Sequence, residues 1–204
     1  MKRILATALL LSASPIVAQE GPRHFNVNGF DSVDVTSTDK VEIVEGSAFS
    51  TTASGDVRAV QSLAITVKAG TLHVDRTPGR HHDSGALVRV TVPALRAASL
   101  SGSGSITLTP QQSSSLRLDL RGAGSIRAQG RAKSVSINLS GSGSIDAQEL
   151  ATQAITVDLS GSGSVVASAT GKASIHASGS GNVQILGDVG CRIQKSGSGS
   201  VRCG

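Results

Sequence analysis

The sequence has 204 residues, and 19 Lys and Arg against 14 Asp and Glu give it a formal net charge of +5. It contains three Phe but no Trp or Tyr, and its basic residues form no stripe, so a nucleic-acid partner that stacks on aromatic side chains is not expected. The length fits one domain or one elongated repeat array.

Residues 1–18 have the pattern of a signal peptide. Two basic residues precede a mostly apolar run, Ile4–Leu11, and Ala18 offers a small residue for cleavage. No later apolar run approaches the roughly 20 residues that a membrane helix needs, so no transmembrane segment is predicted. We therefore expect residues 19–204 to be exported, and to be periplasmic or secreted to the cell surface.

Residues 24–94 contain short apolar stretches separated by turn signals. The stretches with strand character are Phe30–Val35, Val41–Val44, Leu63–Val67, Thr71–Val74 and Leu87–Val92. Their spacing is irregular, so we predict wider or irregular coils that are continuous with the repeat that follows.

The segment Thr77–Gly85 is predicted to be an exposed loop. It contains His81, His82 and Asp83, which form the densest group of metal-ligating side chains in the sequence. Adjacent ligands without the usual spacing are a weak metal pattern, and a solvated polar loop is the favoured interpretation. Neither a metal nor another cofactor is predicted.

Residues 95–204 are built on six Gly-small-Gly units. The glycines are Gly102, Gly104, Gly122, Gly124, Gly141, Gly143, Gly161, Gly163, Gly179, Gly181, Gly197 and Gly199. The units recur every 18 to 20 residues, whereas a flexible Gly/Ser linker holds no period. Apolar and polar residues alternate on both sides of each unit, which is strand periodicity. We predict an all-β fold, a single-stranded right-handed parallel β-helix (β-solenoid) with coils of about 18–20 residues.

Parity along each coil predicts which way a residue faces. The glycines share the parity of the inward Leu, Ile and Val residues, so the interior must be too narrow there for a side chain, or the chain must bend sharply. The serines have the opposite parity, and stacking would align them in ladders down one outer face. This candidate serine ladder consists of Ser101, Ser103, Ser105, Ser140, Ser142, Ser144, Ser160, Ser162 and Ser164.

Cys191 and Cys203 are the only two cysteines, and an even count in an exported protein predicts one disulfide. Both have the inward parity of neighbouring apolar residues, so the bond would close the last coil across its own turn. Lys195 takes an inward slot that holds Leu or Ala in other coils, as expected of a terminal, capping coil.

A polar row raises the question of catalysis. Asp119, Asn138, Asp158 and His176 fall at corresponding positions of successive coils, so Asp158 is expected beside His176 on the outside. Parallel β-helices host polysaccharide lyases and hydrolases in such grooves. An ordinary polar ladder is the favoured interpretation, because no aromatic residue follows Phe49 to stack on a sugar and no acid pair has an orienting partner.

Gly-x-Gly also occurs in phosphate-binding loops. Those loops place the glycines before a helix N-terminus, and no helix is predicted after the glycines of this repeat. The glycines are therefore interpreted as architectural. No catalytic or cofactor-binding residue is predicted from them.

Three motifs carry a resemblance to a known family. They are Gly29-Phe30-Asp31-x-Val33-x-Val35, Val90-x-Val92-Pro93-x-Leu95 and the recurring Ser-Gly-Ser-Gly-Ser. In these the chain resembles the head GIN domain proteins, described as auto-transporter adhesins, over roughly residues 25–204. The resemblance implies a GIN-like β-solenoid domain in the bacterial envelope, and it carries over no catalytic residues.

The predicted function is that of a non-catalytic exported envelope protein, either an adhesin-like binding protein or a structural module that presents flat polar faces. The expected partners are an envelope polysaccharide or another protein, including further copies of the same chain. Two alternatives stay open. One is a carbohydrate-active enzyme, a polysaccharide lyase or hydrolase, that uses a solenoid groove, and the other is a serine grid that orders water as ice-binding solenoids do.

Overall fold

A computed structural model describes residues 21–77, 85–109 and 112–204. In the N-terminal part the elements are β1 (Arg23–Phe25), β2 (Ser32–Val35), β3 (Lys40–Glu45), β4 (Ser50–Gly55), α1 (Val57–Gln61), β5 (Leu63–Lys68), β6 (Thr71–Arg76) and β7 (Ala86–Val92). Residues 1–18, predicted to be a signal peptide, and His81, His82 and Asp83 lie outside the described residues.

The repeat supplies the remaining strands, and all of the strands described belong to one continuous sheet. They are β8 (Ala97–Gly102), β9 (Ser105–Thr109), β10 (Gln112–Gly122), β11 (Ser125–Gly141), β12 (Ser144–Gly161), β13 (Ser164–Ser168), β14 (Lys172–Gly179), β15 (Asn182–Leu186), β16 (Gly190–Ser196) and β17 (Ser200–Cys203).

Each coil of the repeat has two walls that meet at the Gly-small-Gly unit, here called the glycine corner. The long wall precedes the corner, as in residues 135–141, and the short wall follows it, as in residues 144–147. A back turn, such as residues 129–134, leads to the next long wall, and the strand register shifts just before it, between Arg127 and Gln129. Successive coils pair in parallel along both walls, so the predicted all-β solenoid of stacked coils is confirmed for the repeat.

The core consists of aliphatic side chains that stack in register. On the long wall Leu118 pairs with Ile137, Ile137 with Val157 and Val157 with Ile175, and all four are fully buried. Burial of one such side chain contributes roughly 1.5–3 kcal/mol. Because each coil contacts only its neighbours, stability accumulates coil by coil along the stack.

The two glycines of a corner have different tasks. Gly141 has a φ of +124°, which glycine tolerates, and its carbonyl accepts two N–H groups of the next coil. Gly143 is buried, and a Cβ on it would lie 2.5 Å from the Gly124 carbonyl oxygen and 2.8 Å from Leu120 Cδ2. The second glycine therefore faces inward as parity indicates. The first bends the chain, and the three atoms nearest to a Cβ on it would be backbone atoms of Gly122 in the neighbouring coil.

The coil that comes first in the sequence is not the first in the stack. β2 pairs in parallel with both β6 and β8, and β3 pairs in parallel with both β7 and β9. After β3 the chain leaves the stack, adds the β6–β7 coil on the outer side and returns to place β8 against β2. The structure thus departs from the simple succession of coils that sequence order indicates.

Antiparallel strands cover this end of the solenoid. β5 pairs with β6, β4 pairs with β7, and β1 pairs with β4, all antiparallel. The helix α1 begins after Asp56, whose carboxylate accepts the backbone N–H groups of Arg58 and Ala59. This cap is an addition to the predicted parallel solenoid, and it covers strand edges that would otherwise be open to further pairing.

Asp39 occupies, in the β2–β3 coil, the place that the second glycine has in the repeat. Its carbonyl accepts the N–H of Ser105, as the second glycine's carbonyl does in later corners. Its carboxylate is fully buried, accepts the Ala86 N–H at 2.7 Å and contacts two guanidinium nitrogens of Arg76. A side chain fits here because the buried corner provides a cation and a backbone donor for it.

Thr51 on β4 is buried, and its hydroxyl has no hydrogen-bond partner among the described residues. Such a group carries a desolvation penalty of about 1–3 kcal/mol. We predict that Thr51→Val leaves the free energy of unfolding unchanged or raises it by about 1 kcal/mol, as measured by urea unfolding. Thr52→Val, on the half-buried side of the same strand, is the matched control. A clear loss of stability confined to Thr51→Val would contradict the prediction.

Candidate functional site

A groove of about 610 Å³ runs along the outside of the long wall, and we call it the long-wall groove. Its central row contains Asp119, Asn138, Asp158, His176 and Gln194, which are strand partners in five successive coils. The structure therefore brings together the four residues that the sequence places at corresponding positions, and it adds a fifth.

Asp119 is held rigidly at one end of this row. Its Oδ2 accepts a hydrogen bond from Arg117 Nε at 2.8 Å, and its Oδ1 accepts one from Asn138 Nδ2 at 2.7 Å. The side chain is nearly buried, and the bond to Asp119 raises the pKa of Arg117, with a smaller contribution from the charge of Asp158. Both carboxylate oxygens are engaged, so this residue forms part of a fixed hydrogen-bonding surface.

Asp158 and His176 are strand partners at the middle of the groove. Both side chains are exposed, and within the described part of the chain they form neither an ion pair nor a hydrogen bond with each other. A general acid or base is normally oriented by a second group. This pair lacks one, so its atoms are available to an external ligand.

Sequence analysis missed the contribution of Arg117. This residue lies two positions before Asp119, on the same side of the strand, so strand periodicity was the signal that could have found it. The other end of the groove is also cationic, because Lys195 is exposed and lines it. Lys195 has the inward register, being the partner of Ala177, but in the last coil no further coil covers it.

The serine ladder is divided into three rows around the glycine corner. Ser101, Ser140 and Ser160 end the long wall; Ser103, Ser142 and Ser162 lie in the corner; Ser105, Ser144 and Ser164 begin the short wall. Members of the first row line the long-wall groove, and members of the other two line a separate polar groove of about 370 Å³. An ordered grid of hydroxyls would need all three rows on one flat face. The first row instead lines a different groove from the other two.

All nine of these hydroxyls are without a protein hydrogen-bond partner in the described structure. Serines that are neighbours in successive coils therefore form no side-chain bond with each other there. The hydroxyls are instead free to bind water or a ligand on both sides of the corner.

Cys191 and Cys203 form a disulfide in the last coil, and their Cα atoms are 6.7 Å apart. The bond joins the beginning of the long wall to the end of the short wall. Ile193 lies between them in sequence and is 44% exposed, because no further coil stacks on it in the described chain.

We predict that Cys191→Ser/Cys203→Ser weakens the last coil by about 3 kcal/mol, since a closed loop of this size removes roughly that much unfolded-state entropy. Hydrogen exchange should increase in β16 and β17 and remain unchanged in β11 and β12. The unreduced and the reduced wild-type protein are the controls. Uniformly increased exchange along all coils would contradict a local role.

Two findings on the described residues concern metal ligands and membrane-spanning helices. They contain no group of three or more His, Cys, Asp or Glu placed to hold a metal ion. No helix among them is long and apolar enough to cross a membrane.

The fold and the groove define a class, an elongated β-solenoid that presents polar rows on its walls. The family described as "Putative auto-transporter adhesin, head GIN domain" matches residues 29–188, and the chain belongs to this family. Among curated proteins none matches.

Solved structures show the same architecture. A "putative adhesin" from Bacteroides fragilis NCTC 9343 is similar with a TM-score of 0.70 and 16% identity, over 89% of this chain and 95% of that one. A "putative adhesin" from Parabacteroides merdae ATCC 43184 is similar with a TM-score of 0.54 and 15% identity, over 90% of this chain and 95% of that one. A "putative lipid binding protein" from Parabacteroides distasonis ATCC 8503 is similar with a TM-score of 0.52 and 19% identity, over 90% of this chain and 96% of that one. At these identities the likeness concerns the fold.

Proposed function

We propose that this protein is a non-catalytic binding module of the bacterial envelope, and that an extended polysaccharide lies along its long-wall groove. The observation that carries the proposal is the row Asp119, Asn138, Asp158, His176 and Gln194. This row presents donors and acceptors at one position per coil, about 4.8 Å apart. A regular polymer matches such a row better than a compact ligand does. Membership in a family described as adhesins supports binding as the activity.

The absence of an oriented acid–base pair among the described groove residues favours binding over hydrolysis. Asp119 has both oxygens engaged, and Asp158 has no partner that would orient it for proton transfer. Export, through residues 1–18, is part of the same proposal. It is tested by mass spectrometry of the protein recovered from periplasm and medium, where the N-terminus should lie near residue 19.

Binding is tested by calorimetry of the purified protein with uronate polymers and neutral glucans. Asp158→Ala should weaken the binding of whichever of these polymers the wild-type protein binds by about tenfold, because hydrogen bonds to charged groups contribute roughly 1.5–3 kcal/mol. Asp146→Ala is the matched control, since it removes the same charge from the short wall, where Asp146 pairs with Arg127. Equal loss in both variants would overturn the assignment of the groove. Release of shortened products, abolished by Asp158→Ala, would replace the proposal with the enzyme alternative.

A further inference from the structure

We propose that the back turns of the solenoid form a second binding site, which takes the sulfate or carboxylate groups of an acidic polysaccharide. A groove of about 490 Å³, here called the back groove, crosses successive coils on this side. Its cationic residues are Arg131 and Lys133, and Gln153 of the next coil also lines it. The site lies on another side of the molecule from the long-wall groove and does not depend on it.

The two cations of the back groove have no charged partner. Both are exposed, and neither side chain forms an ion pair or a hydrogen bond in the described structure. Arg89, Arg117 and Arg127 differ from them, since each contacts a carboxylate. Two unpaired cations in one groove attract an anionic ligand, and the ligand does not have to break an existing ion pair in order to bind.

Carboxylates are missing from the described lining of the back groove. Glu149 is the strand partner of Gln129, two positions before the groove, and does not line it. Glu45 lies at the N-terminal end, where its carboxylate is engaged by the backbone N–H of Gln112 at 3.0 Å. The anionic groups of a ligand would therefore lie near Arg131 and Lys133.

The shape of the back groove favours a polymer. Ser113, Ala132 and Thr152 are strand partners in successive coils, and the Thr170 N–H donates to the Thr152 carbonyl in the next coil. Three coil steps span roughly 14 Å at 4.8 Å each. An extended polymer can follow these coil steps along the groove, so we take a polymer rather than a lipid headgroup layer as the source of the anion.

The chemistry of the back groove favours a sugar polymer over an acidic peptide. The hydroxyls of Ser113, Thr152 and Thr170 donate to backbone carbonyls, so their oxygens remain acceptors for the hydroxyl groups of a sugar. The central strand of the back groove, β11, is paired with a coil on both sides, which leaves no edge on it for an added peptide strand. Cations, amide and hydroxyl acceptors together match an acidic polysaccharide.

The test compares dextran sulfate with uncharged dextran of the same length, using calorimetry at low salt. Wild-type protein should bind dextran sulfate and not dextran, and Arg131→Gln/Lys133→Gln should bind it at least tenfold more weakly. Arg58→Gln/Lys68→Gln is the matched control. It removes the same charge from two exposed residues whose side chains have no partner in the described structure, and it should change the affinity less than twofold.

Equal weakening in both double variants would overturn the proposal, because it would show a response to net charge alone. Competition by free sulfate, at the same concentration of sulfate groups as the dextran sulfate supplies, would also overturn the proposal. It would show that the polymer chain contributes nothing to binding. Binding to anionic lipid vesicles that depends on Arg131 and Lys133, without binding to dextran sulfate, would assign the groove to lipid instead. Long-wall variants such as Asp158→Ala should leave dextran sulfate binding intact, which separates this test from that of the proposed function.

Discussion

Gly143→Ala is expected to lower the free energy of unfolding by about 3 kcal/mol or more, the upper range for overpacking in a core. The new Cβ would lie 2.5 Å from the Gly124 carbonyl oxygen, which is backbone and cannot move without breaking the coil pairing. It would also lie 2.8 Å from Leu120 Cδ2. Urea unfolding followed by circular dichroism measures the loss.

Two other glycines serve as controls for Gly143→Ala. Gly21 has open space around it and no positive φ, so Gly21→Ala should leave stability unchanged. Gly70 has open space but a φ of +77°, so Gly70→Ala should cost about 1–2 kcal/mol for backbone strain alone. If Gly143→Ala is as mild as Gly70→Ala, the corner has room that the structure does not show, and the steric account is wrong.

Asp39→Ala is expected to lower the free energy of unfolding by about 3–5 kcal/mol, as breaking a buried ion pair does. The substitution removes an anion that contacts Arg76 and accepts the Ala86 N–H, in a place where water has no access to the carboxylate. Because Asp39 joins the β2–β3 coil to the β6–β7 coil, hydrogen exchange should rise first in these coils.

Glu42→Ala is the matched control for Asp39→Ala. It breaks surface pairs with Arg89 and Lys40, and such pairs contribute about 0–1 kcal/mol. The double variant Asp39→Ala/Arg76→Ala should be less destabilised than the sum of the single variants by about 2 kcal/mol, the coupling of a direct contact. Additive effects would show that the two side chains act independently.

Strand periodicity was sufficient to predict the regular coils. Alternation such as Leu116-x-Leu118-x-Leu120, repeated every 18 to 20 residues, permits only a strand that stacks on copies of itself. The glycine parity was less informative. Gly141 and Gly143 have the same parity, but a positive φ at the first of them rotates its Cβ direction out of the inward row, and φ is not visible in a sequence.

The long-wall groove was predicted in part. Asp119 and Asp158 fall at corresponding positions of their coils, so their row follows from the coil length alone. The bonds from Arg117 and Asn138 to Asp119 depend on side-chain rotamers, which pattern does not specify. The back groove was not predicted, because Arg131 and Lys133 lie in the back turn, after a register shift between Arg127 and Gln129 that interrupts the alternation of the short wall.

The sequence by itself determined the stacked β architecture of the repeat, since a short-range pattern of apolar residues and glycines repeats there with constant period. Only the tertiary structure decided the order of the first coils, the antiparallel cap and the burial of Asp39 against Arg76. Each of these depends on pairing between segments far apart in the chain. Such pairing is selected by packing and charge compensation in three dimensions, which local periodicity does not encode.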